Sequence, residues 1–172
     1  RDGDRVVGFG HPMLFGGSTA MPMTAAYIHH VFSSQFQSFK LGVATVPMGV
    51  IDQDRAPGIA GTIGTHAVMM PTQIQVRSPG KEEQFKMEVL LNQDISPALI
   101  RAAVASALIS SEKLMGEVTV KARVRIELAG RPPIVQENIY AGNLGLGRAV
   151  LGMTTPLAKL LQNPFEAVEI QN

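Results

Sequence analysis

Several groups of residues in this 172-residue chain have types and spacing suited to chemistry. The first is Gly8-Phe9-Gly10-His11-Pro12. Imidazole exchanges protons near neutral pH, and a general base must also sit in a fixed place. Gly10 permits close approach of backbone or substrate, and Pro12 removes a donor and fixes the exit of the chain. His11 is therefore the candidate general base; the alternative is a turn histidine bonded to backbone. Ser18 follows in Gly16-Gly17-Ser18-Thr19-Ala20. A serine becomes a nucleophile only beside an activating base. No G-x-S-x-G elbow surrounds Ser18, so it reads as a loop serine. Asp52 and Asp54 lie in Asp52-Gln53-Asp54-Arg55. An aspartate can orient a histidine, but an Asp–Arg pair, or a turn before Pro57-Gly58, is the simpler reading.

Two further motifs lead nowhere. The rings of His29-His30 point to opposite faces of a strand and diverge by about 100° on a helix, which makes them a poor joint ligand pair. No H-E-x-x-H spacing exists, so no metal is expected. Gly145-Leu146-Gly147 lacks both the P-loop and the dinucleotide pattern, which argues against a nucleotide. No cofactor of any kind is expected.

Composition narrows the classes. With 45% hydrophobic and 17% charged residues, the chain can bury a core and is not a disordered segment. A net charge of +1 and 5% aromatic residues give neither a basic footprint for phosphates nor stacking platforms, so nucleic acid is not an expected partner. The absence of cysteine excludes thiolate catalysis, disulfides and zinc–cysteine sites. No run reaches the roughly 18 apolar residues of a membrane span.

The elements that must position His11 can be read from turn chemistry and periodicity. Asp2-Gly3 is a hairpin signal, so residues 1–9 read as a hairpin tip and its outgoing strand. The incoming strand would precede Arg1, which points to a chain cut inside a larger protein; the alternative is that Asp2-Gly3 only starts a loop. Residues 11–23, with two prolines and a Gly-Gly pair, read as an irregular loop. Strands are expected over 26–32 and 38–46, with helix an alternative for the first. The glycines of residues 49–64 predict short strands and tight turns. Residues 66–77 and 84–92 form a predicted strand pair. Ser96 and Pro97 suit the N-cap and first position of a helix. That helix places Ile100, Ala103, Val104, Ala107 and Leu108 on one face.

Residues 117–128 alternate strictly, with Val118, Val120, Ala122, Val124, Ile126 and Leu128 on one side. Residues 134–140 are expected to return antiparallel. Residues 142–153 read as a helix weakened by glycines, and Thr155-Pro156 as the start of a separate short helix over 157–162. Residues 166–170 read as a closing strand. No tandem repeat is evident. One domain, 1–172, is expected, with a soft internal boundary near 78–83.

The stretches DGDRVVGFGHPM, SFKLG and QDRAPGIAGTIG together resemble the SpoIVB-type serine peptidase family. They are more closely similar to bacterial envelope proteins that carry a SpoIVB-like peptidase domain. The resemblance covers residues 2–64; the rest is similar only in general character. It implies a trypsin-like peptidase that uses a serine nucleophile and a histidine base. Gly10-His11 matches the glycine-histidine motif of the family, which implies the base role for His11. The nucleophile motif of the family, G-M-S-G-S-P, is absent from these residues, and the aspartate that the sporulation peptidase carries before that serine has no counterpart. In the similar envelope proteins the serine motif precedes the D-G-D-R segment. Members of such a site act as a unit, so the chain alone is expected to be inactive.

The expectation is a mostly β, α+β domain with two or three helices. Its antiparallel sheets curl toward a partial trypsin-like barrel. It is read as the histidine-bearing part of a SpoIVB-like peptidase domain, or as a non-catalytic envelope or interaction module, or as a small-ligand binding domain. The resemblance further implies a peptide or protein substrate, an extracytoplasmic location, and packing against an upstream segment or a homo-oligomer partner.

Overall fold

The computed structural model describes residues 2–14, 16–111, 117–166 and 168–170. The chain divides into two units, Arg1–Val68 and Met69–Asn172. The composition shift near 78–83 falls instead on the Pro79-Gly80 turn between two paired strands.

The first unit is one antiparallel sheet built from β1 (Arg5–Phe9), β2 (Gly17–Phe32), β3 (Phe39–Arg55) and β4 (Gly58–Ile63), in the order β1-β4-β3-β2. The expected hairpin tip is present, with Gly3-Asp4 as its central pair. Asp2 N donates to Arg5 O at 3.1 Å and Arg5 N to Asp2 O at 2.9 Å. Gly3 takes φ +54, a conformation that disfavours a side chain. β1 pairs with β4, Arg5 opposite Thr62.

The irregular loop expected over 11–23 ends at Gly16, and β2 runs from Gly17 through both Met21 and Pro22. Pro22 is tolerated because β2 is an edge strand, where a missing N–H breaks no ladder on the open side. The helical alternative for 26–32 is not adopted; the segment pairs with β3, Phe32 opposite Phe39. Gly49, Gly58 and Gly61 of the 49–64 stretch serve close strand approach. A Cβ on Gly49 would lie 2.0 Å from the Thr62 carbonyl oxygen, and one on Gly61 2.6 Å from that of Val50.

The second unit repeats one order of elements twice. β5 (Met69–Ser78) and β6 (Lys81–Leu90) lead to α1 (Ser96–Ser111); β7 (Val118–Leu128) and β8 (Arg131–Gly142) lead to α2 (Gly145–Leu161). Each hairpin turns on a glycine with positive φ, Gly80 or Gly130. Amino-acid identities carry no such repeat; the element order does. The alternation of β7 is as read, with Ala122, Ile126 and Leu128 buried and Lys121, Arg123 and Arg125 exposed. The buried faces of β5, β6, β7 and both helices meet in one core that includes Met70, Val89, Val104, Ile126 and Leu157.

Two helix readings are corrected. Ser96 opens α1 but does not cap it. Its fully buried hydroxyl donates to the Leu90 carbonyl and accepts from Asn92 N, tying the helix to the end of β6. Asn92 Oδ1 takes the N–H groups of Asp94 and Ile95 at the helix entrance. Pro97 does lie in the first turn. The short second helix expected from Thr155 is part of α2, which continues through Pro156. The Thr154 and Thr155 hydroxyls donate back to the Val150 and Leu151 carbonyls at 2.9 and 2.7 Å. The glycines that weaken this helix on propensity grounds let it lie against the β7–β8 hairpin. A Cβ on Gly152 would lie 1.9 Å from the Tyr140 hydroxyl oxygen, and one on Gly145 2.6 Å from the Val118 carbonyl oxygen.

Of the closing strand, Ile170 forms a single bridge to Leu128; residue 167 lies outside the described residues. The α+β expectation holds: the fold is mostly strand, with two helices and antiparallel sheets. The sheets do not close into a barrel among the described residues, because the strands of the first unit form an open sheet with β1 and β2 at its edges.

Candidate functional site

His11 lies in the loop that joins β1 to β2, and its side chain is exposed. The loop leaves β1 where Gly10 N donates to Pro57 O at 3.2 Å. Gly10 takes φ +144, a backbone conformation that side chains disfavour. The Nδ1 of His11 is 2.8 Å from the Pro12 carbonyl oxygen. A carbonyl oxygen can only accept, so this contact makes Nδ1 the donor, and in the neutral imidazole Nε2 is then the acceptor.

What holds this loop is Asp54, only 1% exposed. Its Oδ1 accepts from Met13 N at 2.7 Å; its Oδ2 accepts from Leu14 N at 2.6 Å and from Gly16 N at 3.2 Å. A buried carboxylate requires such donors, and a loop with inward N–H groups requires such an acceptor. Asp54 sits near the end of β3, opposite Gly17 in β2 and Ile59 in β4, so the strand ladder fixes it from both sides. Asp54 does shape backbone, but that of the loop at residues 13–16 and not the turn before Pro57-Gly58. The sequence offers no local sign that Asp54 anchors the histidine loop, since its donors lie about 40 residues away in the chain.

Asp52 pairs with Arg5 of β1, a partner outside the Asp52-Gln53-Asp54-Arg55 stretch, while Arg55 Nε donates to Gln53 Oε1. Asp52 Oδ2 accepts from Arg5 Nη1 at 2.5 Å and from the Thr62 hydroxyl at 2.8 Å. Burial alone would raise this carboxyl; the Thr62 hydroxyl and the Arg5 guanidinium outweigh it and hold the group below the ordinary aspartate range.

Ser18 lies in β2 opposite Gln53, not in the histidine loop. Among the described residues no hydrogen bond joins it to His11. His29 and His30 do not converge. His29 packs edge-on against Tyr27 and His30 edge-on against Phe32, with ring centroids 4.9 and 4.6 Å apart. No group of three or more metal-ligating side chains occurs among the described residues. No helix there is long and apolar enough to cross a membrane.

No family model, no curated protein and no solved structure matches this chain.

Proposed function

We propose that this chain supplies the histidine of a SpoIVB-like serine peptidase site, with His11 as general base. The observation that carries the reading is the presentation of His11. Its imidazole is exposed on a loop fastened from below by Asp54, with Nδ1 against a carbonyl and Nε2 left to accept a proton. The nucleophile is a serine carried by another segment of the protein, in a G-x-S-G-S motif. His11 Nε2 takes the proton from that serine as its oxygen attacks the peptide carbonyl. It then returns the proton to the departing amine, leaving an acyl-serine that water hydrolyses. The same resemblance gives the substrate class, a peptide or protein, and an extracytoplasmic location.

A second reading has its own support. Asp54, the aspartate that holds the histidine loop, is occupied by backbone amides. On that reading the Gly-His-Pro loop only shapes backbone in a non-catalytic envelope module.

Fluorophosphonate labelling of the intact protein separates the two. The peptidase reading expects labelling that His11→Ala abolishes. Unchanged labelling in His11→Ala removes His11 from the mechanism, and an intact sequence without the serine motif ends the peptidase reading. The expected packing against another segment or a second copy draws support from the exposed apolar residues of β2 and β3, such as Tyr27 and Phe39. Sedimentation of the chain alone and of the intact protein tests that part.

A further inference from the structure

The second unit contains a cleft of about 1230 Å³ that none of the proposed chemistry uses. Two strands form its long walls. Residues 70–79 of β5 and its turn line it without a gap, and so do residues 118–127 of β7. Inward-facing and outward-facing neighbours are exposed to it alike, as happens when the edge of a strand, and not its face, borders a space. Each of these strands has one ladder partner, β6 for β5 and β8 for β7; beyond these, Ile170 bridges β7 at Leu128, just past the 118–127 wall. Among the described residues no ladder joins β5 to β7. Both strands therefore present their second row of N–H and C=O groups to the cleft. Its floor is apolar, formed by Ile100, Val104 and Leu108 of α1 and Leu157 of α2.

We propose that this slot binds an extended segment of another protein by strand addition to β5 and β7 together. The added strand would join the two hairpins into one sheet, satisfying both open edges at once. Three observations specify the occupant. The walls are ten residues long, which corresponds to roughly 30 Å of extended chain. The volume exceeds the roughly 300–1,000 Å³ usual for small-molecule sites, which favours a peptide. The outer row carries Arg77, Lys121, Arg123 and Arg125 against Glu127 and Glu137. This is a basic excess, even though Arg123 and Arg125 pair with those two carboxylates and Arg77 with Glu82. The segment therefore has apolar side chains at alternate positions, seated on the helices, and carboxylates or neutral polar groups between them. The proposal does not depend on the role of His11.

The probe is a phage-displayed library of random decapeptides selected on the chain. Selection returns peptides with alternating apolar positions. Each synthetic binder slows amide exchange in both 70–79 and 118–127. N-methylation of alternate backbone amides in a binder, which removes donors and keeps the side chains, weakens binding at least tenfold. The surface variant Arg123→Glu, Arg125→Glu weakens acidic binders by about two- to fivefold per charge, the range of an exposed ion pair. Its far-ultraviolet circular dichroism stays unchanged. A selection without binders overturns the proposal. So do binders that protect only one strand or neither, and binders indifferent to N-methylation. Concentration-dependent protection of the slot in the absence of peptide also overturns it, because a second copy is then the occupant.

Discussion

The two units spend similar alternating sequence in opposite ways. In the second, apolar residues of β5, β6 and β7 close on two helices, and these five elements share one core. In the first, the long β2–β3 hairpin runs past the four-stranded region with apolar side chains in water. Tyr27 is 61% exposed and Phe36 fully exposed, and the face shared by Phe32, Phe39 and Leu41 has no covering layer among the described residues. A sheet buries its apolar face only when a second layer is supplied. Helices supply it in the second unit; the described residues of the first contain none. Burial in the first unit therefore concentrates in the four-stranded region, around Met21, Val50, Ile51 and Asp54. There all four strands pair, glycines allow close approach, and Asp54 gathers backbone donors.

This contrast can be broken in three ways, from the largest effect to the smallest. Leu157→Ala, in the shared core, should cost about 2–5 kcal/mol in chemical denaturation, whereas Leu41→Ala on the exposed hairpin should cost under about 0.5 kcal/mol. Similar losses at the two sites would mean that the hairpin has a cover. Gly49→Ala forces a Cβ against the Thr62 carbonyl and should destabilise the first unit by about 1–3 kcal/mol. Faster amide exchange confined to β3 and β4 would mark it; unchanged exchange would show that the two strands can part without loss.

Arg5→Ala should cost less than about 1 kcal/mol, because the Arg5–Asp52 pair is partly exposed. Its clearer signature is in acid. The folded Asp52 carboxyl lies below its unfolded value. Its contribution is thus present above the ordinary aspartate range and is lost as pH falls through the lower folded value. Removing Arg5 moves the Asp52 midpoint upward in a carbon-detected NMR titration, and an unmoved midpoint would leave Thr62 as its support.

Where local pattern and tertiary environment agree, the sequence is readable. β7 shows its buried face by alternation alone, and the turn near Gly3 shows itself by the backbone freedom of glycine, although its central pair is Gly3-Asp4 and not Asp2-Gly3. Elements whose logic is non-local are not readable. Pro156 signals a helix start, but packing of α2 against the β7–β8 hairpin and α1 carries the helix through it. The Gly-Gly and proline pattern of residues 16–22 signals loop, but pairing with β3 makes it strand. At the candidate site His11 stands out by its neighbours. Asp54, which positions the loop, does not, because its meaning lies in amides distant in the chain.

The account rests most heavily on Asp54 as the anchor of the His11 loop, and amide hydrogen exchange in Asp54→Asn tests it most directly. The amide side chain keeps the shape but replaces one acceptor oxygen with a donor. The expected result is loss of protection at Met13, Leu14 and Gly16, with the β5–β8 amides unchanged. Retained protection at all three positions would contradict it.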